Sequence, residues 1–195
     1  MLTYILFHDP TGPNGYLSNW YMSPLEINGK IYCCAEQYMM EQKALLFSDV
    51  EQAVRIMETK DPAEMQRLGR GISGFEEAAW NDCKGEIVAQ ALLAKFSPNR
   101  ELGYALLATG ESRIVDCSRS DEVWGIGRGI DDPLVAEPAS WRGSNLPGAV
   151  LETVRYPSSE RSLLGCRRHR EPVDASCGTL IDAEERLDNN THIGK

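Results

Sequence analysis

Ala35-Glu36-Gln37-Tyr38-Met39-Met40-Glu41-Gln42-Lys43-Ala44-Leu45-Leu46-Phe47 is the stretch whose reading decides the fold. At about 3.6 residues per turn, Glu36, Met39, Met40, Lys43 and Phe47 fall within one narrow arc of a helix. Two charges thus interrupt an apolar stripe. Either the arc lines a cleft, or the charges pair beneath the surface, or both sit at the edge of an ordinary amphipathic helix and reach out to water.

Working outward, Leu25-Glu26-Ile27, Asn28-Gly29 and Lys30-Ile31-Tyr32 predict a hairpin that leads directly into this helix. Residues 3–7 predict a first strand, followed by a turn-rich segment through Gly15. Downstream, Asp49 with Gln52 predicts a capped helix over 50–58, and Asp61-Pro62-Ala63-Glu64 opens another. Ser73 with Glu76 is expected to start a long helix with Trp80, Cys83, Ile87, Ala91 and Ala94 on one stripe. Ser97-Pro98 is expected to begin the next, which Gly110 stops. Ile114-Val115 centres a short strand over 113–117, and a Gly- and Pro-bearing passage runs to a last helix near 146–156. The pattern predicts one domain over residues 1–157, with short strands near its N-terminus and several helices after them. Residues 158–195 carry no sustained stripe and are expected to form a flexible tail, with at most a short helix at 182–187.

At 195 residues and 42% hydrophobic content, the chain can bury one substantial core. The formal charge of −9 disfavours a broad basic surface for duplex nucleic acid but leaves room for a local anion pocket. Six cysteines without C-x-x-C spacing indicate reduced thiols rather than a disulfide scaffold, and adjacent Cys33 and Cys34 cannot readily bridge each other. Met1 to Phe7 is apolar but short and lacks a basic flank, so neither a leader nor a membrane span is expected. The expected location is cytoplasmic.

Histidine is scarce: His8 lies early, and His169 and His192 lie in the expected tail. A nucleophile activated by histidine would have to use His8, and no zinc-ligand cluster is visible. Acid–base work therefore falls to carboxylates. Glu36 qualifies through its stripe, and Asp121 because it precedes a Trp124-Gly125 turn where backbone can approach a ligand closely. Each has a structural alternative: Glu36 can pair with Lys43 or an arginine, and Asp121 can cap its own turn. Gly125-Ile126-Gly127-Arg128-Gly129 fails as a dinucleotide fingerprint, because its last glycine is one place early and Pro133 follows where a helix should open. Trp20, Tyr21, Tyr38, Trp80, Trp124 and Trp141 supply flat faces able to stack on a base, with Trp20 and Trp124 beside polar loop groups.

Together these motifs resemble the NADAR family, also called YbiA-like or riboflavin biosynthesis intermediates N-glycosidases. The resemblance rests on Ser18-Asn19-Trp20, the run from Ala35 to Ala44, Asp61-Pro62-Ala63 with Gly69-Arg70, Ala94-Lys95-Phe96 and Leu106-Leu107-Ala108-Thr109-Gly110. It continues through Asp121-x-x-Trp124-Gly125-x-Gly127 and Trp141-Arg142-Gly143-x-Asn145-x-x-Gly148, in matching order over about residues 3–156. It implies a compact, predominantly helical α+β, YbiA-like domain that hydrolyses the C1′–N bond of a ribosylated base. The substrates it implies are ribosylamino-pyrimidine 5′-phosphates of riboflavin biosynthesis, or alternatively ADP-ribosyl-guanine in nucleic acid; a non-catalytic sensor of NAD or ADP-ribose is a third option. The family's active positions fall on Glu36, Trp80, Asp121 and Trp124. Cys34 stands where a hydroxyl residue is usual, Gln37 where His is frequent, and Asp116 where Glu is common.

Bond cleavage builds positive charge on the ribose, which a fixed carboxylate stabilises. Glu36 is accordingly expected to stabilise the cation and activate water, with Asp121 positioning ribose or water, or the two in exchanged roles. Trp124 and Trp20 are expected to hold the base, with Tyr38, Trp80 and Gly125 also bordering the substrate. Lys43 or Arg142 would take a phosphate, and Asn19 or Asn145 the polar edges. No metal, cofactor or membrane is required.

Overall fold

The computed structural model describes residues 3–156. The expected tail at 158–195, with its short helix at 182–187, lies outside the described residues. Four short strands and six helices occur among those described: β1 (Tyr4–Phe7), β2 (Leu25–Ile27), β3 (Lys30–Tyr32), α1 (Ala35–Leu46), α2 (Val50–Glu58), α3 (Pro62–Arg70), α4 (Glu77–Phe96), α5 (Arg100–Ala108), β4 (Arg113–Asp116) and α6 (Leu146–Arg155). The predominantly helical α+β domain expected from the sequence is what forms.

Strand β1 pairs in parallel with β4, from Tyr4 opposite Arg113 to Phe7 opposite Asp116. Strands β2 and β3 form the Asn28-Gly29 hairpin, with Leu25 opposite Tyr32. Both turn residues have positive φ, 54° and 77°, the conformation such two-residue turns demand. Among the described residues no helix is long and apolar enough to cross a membrane.

Helix α1 is the hub, packed against α2, α3 and α4. It is buried on almost every side, including three polar residues, Glu36, Gln37 and Glu41. An amphipathic surface helix with charges reaching water is therefore not what forms at Glu36. A buried polar group needs partners or it costs stability. Gln37 finds them by accepting from the Cys33 N–H at 2.8 Å and donating Nε2 toward the Ile56 and Thr59 carbonyls at 3.2 and 2.9 Å. It thereby satisfies orphan carbonyls around the α2 C-terminus. Glu41 accepts from the Tyr32 hydroxyl at 2.7 Å and pairs with Lys30. Glu36 has no comparable structural bonds; it faces a cleft.

Close approach of α3 to α1 depends on Gly69, where an added Cβ would lie 2.2 Å from Met40 Sδ. That contact sets the end of α3, and hence Arg70, beside the outer end of α1.

Asp49 and Asp61 cap α2 and α3 as the sequence predicts, accepting from Gln52 N and Ala63 N. Two other starts differ. Ser73 does not open α4: its N–H is drawn to Asp49 Oδ2 at 2.8 Å, Gly74 turns the chain at φ 67°, and the helix begins at Glu77. Ser97 instead closes α4, donating to the Leu93 carbonyl, and Asn99 caps α5 by accepting from Leu102 N. Helix α4 thus starts without a side-chain cap, and at α5 Asn99 rather than Ser97 supplies it.

Replacing Gln37 by leucine leaves the α2 carbonyls without their donor. Gln37→Leu is expected to lower unfolding free energy by about 1–3 kcal/mol, measured by urea denaturation.

Candidate active site

A cleft of about 850 Å³ opens over the exposed edge of α1. Glu36 and Met40 form its floor, and Lys43, Gly69 and Arg70 one wall. Phe75 and Trp80 continue that wall, while Asn19 and Trp20 enter from the loop before the hairpin. The facing wall is His8, Asp116 at the end of β4, and the loop carrying Asp121 and Trp124. A second, more open depression of about 610 Å³ lies between the hairpin and the end of α4, and Glu26 is its only charged lining residue. The charged and aromatic side chains gather in the first.

The cleft brings three carboxyl groups into one field. Glu36 is 5% exposed. Burial, reinforced by the Asp121 carboxylate, pushes it up from an ordinary 4.5 to about 8, against the opposing pull of a hydrogen bond from Trp20 and of the Lys43 and Arg70 charges. Asp116 rises to about 7, again chiefly through burial and then Asp121, although the Ser118 backbone N–H favours its charged form. His8 Nδ1 stands 4.0 Å from Asp116 Oδ1. Asp121 is half-buried, and its Oδ1 accepts from Val123 N at 2.9 Å and Trp124 N at 2.8 Å. It caps its own turn and lines the cleft at once, so the structural and functional readings of the sequence do not compete.

The cationic wall is built differently. Lys43 Nζ donates to the Gly69 carbonyl at 2.8 Å and lies 4.4 Å from the Phe75 ring centroid. Burial lowers its pKa, Glu36 partly offsets this, and Arg70 adds to the lowering. Arg70 itself is exposed at the cleft wall. Trp80 and Trp124 meet edge to face, with centroids 6.3 Å apart at 61°. Asn19 Oδ1 is buried without a hydrogen-bond partner among the described residues, an acceptor left unsatisfied beside the cavity.

Of the residues singled out in the sequence, Glu36, Asp121, Asn19, Trp20, Lys43, Trp80 and Trp124 line this cleft. The other four lie elsewhere. Tyr38 is 3% exposed, donates to Gln90 Oε1 at 2.6 Å and packs edge to face on Tyr32. Gly125 lies beneath the loop, where an added Cβ would come within 2.6 Å of Ser118 Cβ. Arg142 packs beside Gly127, its N–H donating to the Ile126 carbonyl at 2.9 Å. Asn145, 1% exposed, ties α6 to β4: Oδ1 accepts from Asp116 N at 2.9 Å and Nδ2 donates to the Ile114 carbonyl at 2.8 Å. It sets the position of Asp116 rather than bordering the cavity. Sequence reasoning did not single out Asp116, Arg70 and Phe75 as site residues. The available signals were an acid ending an apolar strand, and a cation closing a helix that begins with a clear cap.

This is an α+β domain with a carboxyl-rich cleft edged by aromatic and cationic side chains. Residues 6–157 match the NADAR domain family, and the chain belongs to it. It is 39% identical over 129 residues to the N-glycosidase R617 of Acanthamoeba polyphaga mimivirus, covering 66% of this chain and 76% of that protein. It is 30% identical over 158 residues to the riboflavin biosynthesis protein VVA0006 of Vibrio vulnificus, covering 81% of this chain but 39% of that longer protein. The solution NMR structure of YbiA from E. coli superposes with a TM-score of 0.65 at 29% identity, over 80% of this chain and 84% of that one.

A carboxyl whose folded pKa lies above its unfolded value binds a proton on folding. Between pH 4.5 and about 8 the Glu36 contribution therefore falls as pH rises, and above that the burial penalty is fully felt. Glu36→Gln removes the penalty. The variant is expected to exceed the wild type in stability by roughly 2–4 kcal/mol at pH 8.5 and to converge on it near pH 5, read from denaturation curves at both pH values.

Proposed function

We propose that this NADAR-domain protein, a hydrolase of N-glycosyl bonds, acts on a small ribosylated base carrying a 5′-phosphate, with ribosylamino-pyrimidine phosphates the leading candidates. The single observation that carries the mechanism is the buried, proton-retaining Glu36 facing the Asp121 carboxylate across one cleft. It supports moving cation stabilisation and water activation to Asp121 and giving Glu36 a further role, as proton donor. Glu36 donates its proton to the leaving nitrogen, which receives the electron pair of the breaking C1′–N bond. Asp121 stabilises the oxocarbenium-like sugar and takes a proton from the water whose oxygen bonds to C1′. Free base and reducing sugar leave, and the proton on Asp121 returns to Glu36 directly or through solvent.

Binding follows the two walls. Trp80 and Trp124 offer faces and edges for the base, and the unsatisfied Asn19 Oδ1 accepts from a ligand N–H or O–H. Arg70, permanently charged, with Lys43 behind it, suits the phosphate. The lining also carries Asp9, Glu77 and Glu122, which opposes the long phosphate backbone of a nucleic acid substrate and supports a small one. We assign the reaction to the cytoplasm, in keeping with the free thiols of Cys33, Cys34 and Cys117.

Incubation with a ribosylamino-pyrimidine 5′-phosphate is expected to release ribose 5-phosphate. Glu36→Gln, which cannot give up a proton, is expected to slow release by about 10²–10⁴-fold. Wild-type kcat/KM should decline as pH rises through about 8, where Glu36 loses its proton. A rate that instead rises through that range sinks the proton-donor assignment. Arg70→Ala is expected to raise KM by about tenfold or more with kcat little changed, measured by steady-state kinetics with phosphorylated and dephosphorylated substrate.

A further inference from the structure

Lys95 is the largest polar side chain sealed within the core, 1% exposed on α4 and absent from the cleft lining. Among the described residues no carboxylate pairs with it; the titratable group facing it is the Cys34 thiol. Its Nζ lies 5.2 and 5.1 Å from the Tyr21 and Phe96 ring centroids. A buried amine without a counter-ion is costly, and burial lowers its pKa to about 7. A methionine would fill the space without that penalty, so the amine calls for a reason.

Its hydrogen bond among the described residues supplies it. Nζ donates to the Ser18 carbonyl at 2.8 Å. From Ser18 the connections run to the reacting carboxyl. Ser18 Oγ accepts from Trp20 N at 3.2 Å, the Asn19 carbonyl accepts from Glu36 N at 3.0 Å, and Trp20 lines the cleft beside Glu36, where it favours the charged carboxyl. We propose that Lys95 is a positioning residue for the hydrolysis: by fixing the Ser18 carbonyl from below, it holds Asn19 and Trp20 against Glu36. The catalytic part rests on the proposed function; the positioning part does not.

The two parts separate experimentally. Without the anchor, Trp20 no longer reliably favours the charged form of Glu36, leaving that carboxyl to burial, Asp121, Lys43 and Arg70. In ¹³C-carboxyl NMR titrations, Lys95→Met is therefore expected to move the Glu36 midpoint upward, as Trp20→Phe does. The double variant should move it no further than either single one, because both act on one contact. With turnover of the ribosylamine phosphate, Lys95→Met is also expected to lower kcat by on the order of tenfold while KM stays within about threefold. Lys95→Gln, which keeps a donor, should recover most of the loss.

An unchanged Glu36 midpoint, or additive shifts in the double variant, overturns the positioning role. So does failure of both Lys95→Met and Lys95→Gln to fold, which would make the amine a purely structural group. If wild-type protein leaves the ribosylamine phosphate intact while the midpoint shifts as expected, the functional reading falls and the anchor stands.

Discussion

Everything in this molecule depends on burying a helix that is polar at places where burial is expensive. Helix α1 is enclosed by α2, α3 and α4, and three of its side chains, Glu36, Gln37 and Glu41, carry polar groups inward. Two are absorbed by the fold, Gln37 by the α2 carbonyls and Glu41 by Tyr32 and Lys30. The third faces an open cleft, with Trp20 beside it favouring its charged form. The first turn of a helix favours a negative charge by about 0.3–1 kcal/mol. Raising a carboxyl from 4.5 to about 8 corresponds to roughly 2–4 kcal/mol or more. Burial therefore outweighs the helix terminus, and the carboxyl keeps its proton at neutral pH. That imbalance is what a proton donor needs.

The surrounding elements can be understood as support for this one group. Gly69 lets α3 approach α1 closely enough to bring Arg70 to the rim. Asn145 bridges β4 to the start of α6 and fixes Asp116 through its backbone N–H. Asp121 uses one oxygen to shape its loop, and its charge raises both neighbouring acids. A cleft with a cationic wall and an acidic wall follows. Stability is given up to keep it.

Much of this was legible in the residues, wherever the cause was local. Asn28-Gly29 specifies its turn through positive φ, and Asp49 and Asp61 cap the helices they precede. Ser73 and Ser97 carry the same local signal, but Asp49 draws in the Ser73 N–H and Asn99 caps α5, partners that only the folded chain shows. At the site, Glu36, Met40 and Lys43 reach the cleft because they share an arc. Tyr38 points to the core because it lies two positions, about 200°, round the helix from Glu36. For Arg142 and Asn145 there is no period to consult, since both lie in the long passage between β4 and α6. Asp116 has a place that depends on parallel pairing with β1, a contact more than a hundred residues apart in sequence.

The central claim is that Glu36 holds a proton in the resting cleft. The direct measurement is an infrared difference spectrum between wild type and Glu36→Gln across a pH series. A protonated-carboxyl stretch present at pH 7, absent from the variant and disappearing with a midpoint near 8, is the expected result. A spectrum showing only ionised carboxylate at that position by pH 6 would contradict it.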